Sequence, residues 1–467
     1  MKSLKFTIIT DTHYYSKRNW IAGNYDDFPP ENGQLLMKYS EEIVNHTFST
    51  LSENDESDII LISGDLTNNG EISSHEEMRD ALKALKNNGK RVYVITATHD
   101  YNDGFMPAYG RDENNNEVPV PELERNKLMD YYGEFGYNDA ISVHEESFSY
   151  VAQLADGYRL LALNDDYGNP HCGYSDDCFE WIKEQVKKAY DDGQFLVTMT
   201  HHPVIAPSVF YKLIGANDML DQHELRAKQF ADMGLLFILT GHSHVHNISS
   251  ITTDNGNTLY DISTGALTGF PPAYREIEIL PDERKIDVKS IFVDHVSGFD
   301  TEGLTLTEYT KKLFLGSIAD ALENAENNYE AFMDFAVGIS LSKEVTTKYK
   351  FIFQRAAKFL NHLTFGKVRK FVRFSCKVSS DEIKPIYDKK VVPFVIDVVA
   401  NLYKGDGDIE KSSAEYKIAE SVLKKLDKLS KPFSKQLKAI GLENISSAVL
   451  PLLYNDGIGD ANAVLNY

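Results

Sequence analysis

Cysteine is scarce in this chain of 467 residues, which contains only Cys172, Cys178 and Cys376. Their positions form no CxxC pair and no other paired spacing, so the sequence predicts neither a disulfide framework nor a thiolate-rich metal site. A chain of this kind suits a reducing compartment. We therefore expect a cytoplasmic protein.

Long apolar runs are also missing. No stretch reaches the roughly 18 apolar residues that a membrane-spanning helix needs, and the closest is the mixed segment from Val391 to Leu402. The N-terminal MKSLKFTIITDTH enters a candidate strand within a few residues and lacks the apolar core of a signal peptide. The expectation is a soluble protein without a transmembrane segment.

Basic residues are the third shortage, with 48 Lys+Arg against 70 Asp+Glu and a net charge of −22. Residues 1–300 contain 24 basic and 49 acidic residues, whereas residues 301–467 contain 24 and 21, so the net charges are −25 and +3. This asymmetry predicts two regions of different character. An acidic first region repels polyanions, so we expect no bulk nucleic-acid binding, although a local metal centre still attracts a phosphate.

Five short apolar runs each end on a cluster of Asp and His. The clusters are Asp11-Thr12-His13, Gly64-Asp65, Thr98-His99-Asp100, His201-His202-Pro203 and Gly241-His242-Ser243-His244. Runs of this length are typical of buried strands, and in open α/β sheets the ligand site lies beyond the carboxyl ends of the strands. The sequence therefore predicts a metal site built from at least two Asp and five His.

Strands alternate with helical segments through about residue 240, which is the pattern of a layered α/β architecture. The predicted helices are Gln34–Leu51, His75–Asn87, Glu122–Phe135, Asp176–Ala189 and Gln222–Met233. Ser73 and Ser74 suggest a capping box for the second helix, and Pro121 suggests the first turn of the third. A hairpin is predicted between YREIEIL and IDVKSIFVDHV.

The pattern becomes helical after a linker, SGFDTEG, at residues 297–303. We predict a catalytic domain at residues 1–298 and a helical accessory domain of unknown role at residues 304–467. Two apolar stripes at helical spacing support the second domain. They consist of Ile352, Ala356, Phe359, Leu360 and Leu363, and of Ile418, Val422, Leu426 and Leu429, the latter preceded by the capping-box spacing of Ser412 and Glu415.

The segment from Gly366 to Lys377 interleaves five basic residues with Val368, Phe371, Val372 and Phe374. Such a segment can bind an acidic membrane surface or nucleic acid. The alternative is an amphipathic element whose cations face the acidic first region or water, and this alternative is our expectation.

Asp and His clusters of this kind favour hydrolysis at a metal centre. Two divalent or mixed-valence metals close together can bind a phosphate ester, generate a hydroxide near neutral pH and stabilise the developing charge. Such a site needs a bridging carboxylate and several imidazoles. Asp and His ligands suit Mn, Fe, Zn or Co better than Ca.

Taken in order, the five clusters resemble the calcineurin-like metallophosphoesterase superfamily, whose blocks are D-x-H, G-D-x-x-[DN], G-N-H-[DE], a later H-x-P and G-H-x-H. Four blocks match, and the resemblance covers roughly residues 4–275, including the ending STGALTGFPPAYREI. It implies an α/β fold, a four-layer αββα sandwich. The C-terminal all-α accessory domain lies outside it.

The resemblance also implies roles for individual residues. Asp11, His13 and His244 would hold the first metal, Asp65 would bridge, and His201 and His242 would hold the second. His99 would bind the scissile group and assist the leaving oxygen, with Asp100 orienting it. Asn68 matches a position that tunes such sites more often than it ligates a metal.

The third block departs from the family pattern, because Ala97-Thr98 stands where the family has Gly-Asn. The family uses that Asn as a ligand of the second metal, and Thr98 offers only a short neutral hydroxyl. Three outcomes are open: a water fills the gap, Asn102 or Asp103 reaches in, or the second metal binds weakly. We expect a working enzyme with a modified second site.

Other polar residues near the clusters are less certain. Asp165 ends a further strand. We expect His202 to face the substrate pocket or solvent. His246 is expected at the surface or beside the ligands of the site. Aromatic residues and one arginine follow the first and third blocks, the latter in a loop of about 20 residues. They are Tyr14, Tyr15, Trp20, Tyr101, Phe105, Tyr109 and Arg111. They can stack on a nucleobase or simply pack the loops, and Arg111 can clamp a phosphate or be solvated.

The sequence therefore predicts a metal-dependent phosphoesterase that acts on a small phosphoester through metal-activated hydroxide. The aromatic loops slightly favour a phosphodiester, such as a cyclic nucleotide or a glycerophosphodiester. One alternative is a phosphomonoesterase or nucleotidase. The other is a metal-weakened, non-catalytic binding or scaffold protein, which only Thr98 supports. The natural substrate and the oligomeric state stay open.

Overall fold

The computed structural model describes residues 1–22, 25, 34–54, 56–102, 107–166, 172–208, 211, 219–338, 343–439, 444–455 and 459–467. The chain forms two compact units. The first consists of Met1–Pro207, Ile214–Thr310 and Ile458–Tyr467, and the second of Ser208–Leu213 and Lys311–Gly457. Within the described ranges, no helix has the combination of length and apolar character that crossing a membrane requires.

Two mixed β-sheets form the centre of the first unit. Its strands are β1 (Leu4–Ile9), β2 (Ile59–Ser63), β3 (Arg91–Ile95), β4 (Tyr109–Arg111), β5 (Glu117–Pro119), β6 (Ser142–His144), β7 (Ser149–Ala155), β8 (Tyr158–Ala162), β9 (Phe195–Met199), β10 (Phe237–Thr240), β11 (Asn247–Thr252), β12 (Thr258–Ser263), β13 (Ala273–Leu280), β14 (Lys285–Phe292) and β15 (Asn462–Asn466). The six-stranded sheet has the order β15-β14-β13-β1-β2-β3, and the seven-stranded sheet β11-β12-β10-β9-β8-β7-β6. Strands β4 and β5 form a separate small hairpin.

The strands that carry the predicted ligands are parallel within each sheet. Strand β1 is parallel to β2, and β2 to β3, while β9 is parallel to β8 and β10. Strands β2 and β10 are buried along their whole length. The carboxyl ends of the parallel strands therefore emerge on one side of each sheet, as the apolar runs predict. The predicted hairpin is also confirmed, because β13 pairs with β14 in antiparallel register.

Side chains from one sheet bond to the backbone of the other. Arg275 on β13 donates to Ser263 O at 2.8 Å and to Asn247 O at 3.3 Å. Tyr150 on β7 donates to Val94 O on β3 at 2.9 Å. The two sheets therefore face each other.

Helices flank the sheets of the first unit. They are α1 (Ser40–Glu53), α2 (Ile72–Asn87), α3 (Arg125–Tyr131), α4 (Asp176–Asp191) and α5 (His223–Asp232). Residues of α4 and α5 share one buried apolar cluster with strands of the seven-stranded sheet. Together with the helical second unit, this arrangement confirms the predicted α/β sandwich class.

Two helix starts differ from the predictions because tertiary hydrogen bonds hold the preceding residues, and the cap predicted for a third helix is absent. Gln34 donates to His244 O at 3.0 Å, and α1 begins only at Ser40. Leu123 N donates to Gly70 O at 2.9 Å, so α3 does not begin near Pro121. The capping box predicted for α2 is wrong: the helix begins after Glu71 without a side-chain cap.

The second unit is helical. Its helices are α6 (Leu306–Asn327), α7 (Tyr329–Gly338), α8 (Lys343–Lys348), α9 (Lys350–Asn361), α10 (Phe365–Phe371), α11 (Ser380–Ile383), α12 (Val392–Lys404), α13 (Ala414–Ser430), α14 (Ser434–Ala439) and α15 (Ile445–Leu453), the first of which begins within the first unit. The cap of α13 is Ser413, one residue after the predicted Ser412.

Two features of the tail differ from the predicted pattern. The apolar stripe of α9 is exposed at Ile352 and Phe359, and Ala357 is buried instead. Strand β15 pairs with β14 of the first unit, although residues 304–467 are predicted to be helical. A five-residue strand whose large apolar residues are the adjacent Val464 and Leu465 is too short to show the alternation of a strand.

Candidate metal centre

Hydrogen bonds join the loops that carry the predicted ligands. Asp11 N donates to Gly64 O at 3.1 Å, which connects the loops after β1 and β2. Gly241 N donates to His201 O at 2.9 Å, which connects the loops after β10 and β9. His242 N donates to Asp11 Oδ2 at 3.0 Å and thereby links the loops of the two sheets. The ligand candidates therefore converge because neighbouring backbones bind each other.

The backbone at these ligands is strained. Ten described non-glycine residues have positive φ, and five of them are Asp11, His13, Asp65, His242 and His244. Residues other than glycine rarely adopt this left-handed backbone conformation, and it persists only where the surroundings enforce it. The two sheets therefore impose unusual turns on the residues whose side chains meet at the centre.

Asp11, His13 and His244 form the first group of close ligand atoms, all within 4.8 Å of one another. The Nε2 atoms of His13 and His244 lie 3.1 Å apart. Asp11 Oδ1 is 3.3 Å from His244 Nε2 and 3.7 Å from His13 Nε2. Two imidazoles and a carboxylate thus point at one small volume, as the resemblance implies for the first metal.

Asp65, His201 and His242 form the second group, again within 4.8 Å. His201 Nδ1 donates to Ser63 O at 2.8 Å, which leaves Nε2 directed at Asp65 Oδ2, 3.0 Å away. Asp65 Oδ2 is also 3.8 Å from His13 Nε2 of the first group. Asp65 therefore belongs to the second group and also lies beside the first.

Three buried atoms of these groups make no hydrogen bond of acceptable geometry: His13 Nδ1, Asp65 Oδ2 and His201 Nε2, although the last two lie 3.0 Å apart as an ion pair. Buried polar atoms are rarely left unsatisfied, because desolvation then has no compensation. Asp65 Oδ2 and His201 Nε2 are atoms that can coordinate a cation, and both face the other ligand atoms. The donor set of imidazoles and carboxylates accordingly fits a pair of transition metals.

Both carboxylates are ionised despite their burial. Burial is the largest influence and raises the pKa of Asp11, yet the hydrogen bond from His13 and the charges of His201 and His244 hold that pKa well below its usual range. The pKa of Asp65 is also far below its usual range, since His201, His99 and His13 outweigh burial. The site is therefore negatively charged wherever its imidazoles are neutral.

The imidazoles divide between two protonation states. Burial lowers the pKa of His201, but Asp65 and Asp11 outweigh it and raise that pKa to about 10. Burial lowers the pKa of His13 to about 4 and, together with His202 and His201, holds that of His242 well below its usual range. In the absence of a bound cation, a proton on His201 thus compensates part of the negative charge of Asp11 and Asp65.

The His99 ring lies beside the two groups, with its centroid 4.8 Å from that of His13. His99 Nδ1 donates to Asn68 O at 2.6 Å and is 2.9 Å from Asn69 Oδ1. Because a carbonyl only accepts, Nδ1 carries a proton, and Nε2 is left as the ring nitrogen that can gain or release one. The backbone N of His99 also donates to Asp65 Oδ1 at 3.0 Å.

Asp100 does not orient the His99 ring, so this part of the prediction is wrong. Its carboxylate accepts from Ala97 N and Thr67 N, both at 2.9 Å, and so fixes the backbone of the third block against that of the second. Burial and the charge of Asp65 raise the pKa of Asp100 to about 8. Asn69, which sequence reasoning missed, contacts the ring instead, and no motif spacing distinguishes it from Asn68.

The region of the mismatched block is described in part. Thr98 begins a short 3₁₀ turn, Thr98–Asp100, and is half-buried. Asn102 donates to Glu122 at 3.2 Å, which holds its amide at the surface. Asp103 and Phe105 lie outside the described residues. Asn68 is the other uncertain position. Its side-chain amide donates to buried Glu71 at 3.0 Å, and its backbone carbonyl accepts from His99.

Asp165 supports the loop of the fourth block. Its carboxylate accepts from Thr200 Oγ1 at 2.7 Å and from His202 N at 2.8 Å, and its second oxygen is 2.9 Å from His202 Nδ1. His202 is buried and lies against the ring of His242, with centroids 4.0 Å apart. Of the two positions expected for His202, the substrate pocket or solvent, its burial therefore contradicts the second. His246 is also buried, bonded to Gly265 N at 3.1 Å.

The aromatic residues after the blocks mostly pack the loops. Tyr14 and Tyr15 are buried, and Tyr15 OH donates to Tyr109 O at 3.1 Å. Trp20 and Tyr109 pack on the same small apolar cluster and are half-buried. Arg111 pairs with Glu117 at 3.1 Å within the β4-β5 hairpin. Packing within the loops therefore explains most of these aromatic residues, and no contact with a substrate is needed to explain them.

Comparison with known proteins agrees with this geometry. A family model described as calcineurin-like phosphoesterase matches residues 4–246. Similar solved structures include a dimetal phosphatase from Danio rerio, with 12% identity and a TM-score of 0.43 over 62% of this chain and 95% of that one. A purple acid phosphatase from yellow lupin seeds has 15% identity and a TM-score of 0.40 over 64% and 53% of the two chains.

A 5'-nucleotidase precursor from Thermus thermophilus has 10% identity and a TM-score of 0.35 over 69% of this chain and 60% of that one. A comparison with curated proteins finds no match. The family model spans more than half of the chain and includes the four loops of the ligand groups and the loop of His99. The chain therefore belongs to the calcineurin-like phosphoesterase family.

Proposed function

We propose that this protein is a metal-dependent phosphoesterase with a dinuclear centre. The observation that carries the proposal is the convergence of six ligand side chains from four separate loops of two sheets, three buried atoms of which make no hydrogen bond. Asp11, His13 and His244 would hold one cation, and His201 and His242 the other, with Asp65 shared. Manganese, iron and zinc all suit these ligands.

Bound cations would supply charge neutralisation on the phosphate and a water of lowered pKa. The remaining step belongs to His99, whose Nδ1 is held by the Asn68 carbonyl. Its Nε2 is therefore the nitrogen that can carry a proton to the departing oxygen of the ester. Asn69 would keep this ring in place as the proton moves.

The decisive experiment compares metal content and turnover in the wild type, His99→Ala and His295→Ala. His295 is exposed, so its replacement serves as the matched control. After loading with Mn, Fe or Zn, we expect the wild type to hydrolyse at least one ester of a phosphoester panel. His99→Ala should keep its metal and lose about 10²- to 10⁴-fold in kcat, the usual contribution of acid-base catalysis.

A fully loaded wild type that hydrolyses no phosphoester would contradict this function and support a binding or scaffold role. Loss of metal from His99→Ala would instead assign that residue to the ligand set. Equal losses in both variants would show that the assay does not report on the site.

A phosphodiester is the proposed substrate class. Tyr14 and Tyr15 are buried, so among the described aromatic residues of these loops the half-buried Trp20 and Tyr109 are the ones that support this substrate class. We expect bis-aryl phosphates to be hydrolysed faster than mono-aryl phosphates, measured as kcat/KM. A clear preference for the monoester would replace this proposal with a phosphomonoesterase or nucleotidase.

A further inference from the structure

The second unit contains a basic segment that contrasts with the rest of the protein. Residues 343–377 include ten Lys+Arg and one Asp+Glu, in a chain whose net charge is −22. The segment comprises helices α8, α9 and α10 and the turn that follows. A positive charge so concentrated is the electrostatic footprint of an anionic partner.

Helix α9 directs its apolar side chains to solvent. Phe351, Ile352 and Phe359 are 67%, 61% and 64% exposed, whereas Ala357 on the opposite face is buried. The exposed three lie within about one third of the helix circumference at 100° per residue. Arg355 lies among them, with its guanidinium 5.2 Å from the centre of the Phe351 ring. The outward face is thus both apolar and cationic.

The same combination recurs after α10. Phe371 and Phe374 are 55% and 91% exposed, although Val372 between them is buried. The Arg373 guanidinium lies 4.5 Å from the Phe374 ring, and Lys425 Nζ lies 3.5 Å from the Phe371 ring. Both of these exposed rings therefore have a cation beside them.

An apolar cavity adjoins the exposed face of α9. It has a volume of about 100 Å³, and Leu360, the neighbour of Phe359, lines it together with Leu363. All its other lining residues are aliphatic and come from α6, α12 and the residue before α12, including Leu315, Ile318 and Val395. The face thus continues into a groove that only hydrocarbon can fill favourably.

We propose that the second unit binds the surface of an anionic lipid bilayer through the exposed face of α9 and the turn of Phe374. Helices with an apolar face flanked by Lys and Arg lie in the interface of such bilayers. The aliphatic groups of Ile352 and Leu360 fit this partner, because a nucleic-acid backbone offers no hydrocarbon for them to cover. The proposal does not depend on phosphoester hydrolysis.

Sedimentation of the full-length protein with vesicles tests this proposal. The vesicles contain phosphatidylcholine alone or a mixture with phosphatidylglycerol. We expect binding to the mixed vesicles only, with an affinity that falls as salt rises. Phe351→Ser/Phe359→Ser and Arg355→Gln/Lys358→Gln should each weaken the partition at least tenfold.

The matched control is Lys428→Gln/Leu429→Ser on α13, where both side chains are also exposed. It should bind like the wild type, and circular dichroism should show all variants folded, because no replaced side chain is buried. Absent binding, equal binding to both vesicles, or an equal loss in the control would overturn the proposal. So would displacement of the vesicles by an RNA or DNA homopolymer, or a dimer that Phe351→Ser/Phe359→Ser dissociates.

Discussion

Two ionised carboxylates, Asp11 and Asp65, are completely buried among imidazoles at the centre of the first unit. An isolated buried carboxylate costs several kcal/mol, so positive charge has to accompany it. A protonated His201 provides part of this charge, and its pKa is about 10. A cation that replaces this proton must therefore compete with it, because only neutral imidazole binds metal.

Thr98 is the residue at which this chain departs from its family. Thr98→Asn would restore an amide oxygen, and we expect tighter binding of the second cation with little change at the first. In the wild type, metal analysis after careful loading should give between about one and two ions per chain. Calorimetric metal titration of both proteins measures the difference.

Thr252→Asn serves as the control for this titration, because Thr252 is exposed on β11. It should bind metal like the wild type. Unchanged second-site affinity in Thr98→Asn would mean that another group already fills the position.

Asn69 Oδ1 lies 2.9 Å from Nδ1 of His99, the proposed acid-base residue. Removing its carbonyl in Asn69→Ala leaves His99 with one acceptor, the Asn68 carbonyl, so the ring becomes less well oriented. We expect kcat to fall about tenfold while metal content and KM stay near wild type. Steady-state kinetics on loaded protein provide the measurement.

The control here is Asn102→Ala, which removes a surface amide bonded to Glu122. It should leave kcat unchanged. A loss of metal in Asn69→Ala would contradict a role limited to His99.

The part of the site that could be predicted from the sequence consists of the residues at the ends of predicted strands. Asp11, His201 and His244 follow from strand ends meeting at one sheet edge, a property that periodicity reveals. Asn69 and the true contacts of Asp100 could not be predicted. Their roles depend on which way a side chain turns within a loop, and neither spacing nor composition carries that information.

At the scale of elements, strands were more predictable than helix starts. The runs that became β2 and β10 are apolar along their length and mark buried strands directly. Gln34 and Leu123 belong to segments with helical patterns, but hydrogen bonds to distant loops keep both outside helices. Tertiary contacts override local propensity in such places. Strand β15 was missed for the related reason that its partner is more than 160 residues away.

His75 on helix α2 contacts the backbone of the third block, and its burial makes the stability of the protein depend on pH. His75 Nε2 donates to Asp100 O at 2.9 Å, and Tyr132 OH donates to Nδ1 at 2.6 Å. Burial lowers the pKa of this imidazole to about 4, against 6.5 when it is unfolded. As pH falls from 6.5 to 4, the unfolded state takes up a proton that the folded state refuses.

The free energy of unfolding should therefore decrease over this window by up to about 3 kcal/mol on account of His75. Urea denaturation at several pH values measures the slope in the wild type, His75→Gln and the exposed control His295→Gln. We expect a shallower slope only in His75→Gln. Identical slopes in all three proteins would show that His75 does not contribute.

At the scale of the whole molecule, the chain returns to its first unit after the helical one. Asp460, just before β15, accepts from Ile248 N at 2.8 Å and from Asn247 Nδ2 at 3.0 Å. Its backbone carbonyl accepts from buried Arg275 at 2.7 Å. The last residues of the chain thus support the strand that follows His242 and His244.

Asp460→Ala should lower the free energy of unfolding by about 2 kcal/mol, because it leaves buried donors without an acceptor. Chemical denaturation of the full chain gives the measurement. Asp408→Ala is the control: it removes an exposed pair with Lys404 at 3.4 Å and should cost less than about 0.5 kcal/mol. Equal effects would mean that Asp460 is not a structural link.

The left-handed turns at Asp11, His13, Asp65, His242 and His244 carry a consequence for adaptation of this protein. Each such conformation costs a side-chain-bearing residue roughly 1 to 2 kcal/mol, which glycine would not incur. A selection for thermal stability alone would thus favour glycine at these five positions, and every such gain would remove a ligand. Stabilised variants should for this reason be screened for bound metal before any of these turns is altered.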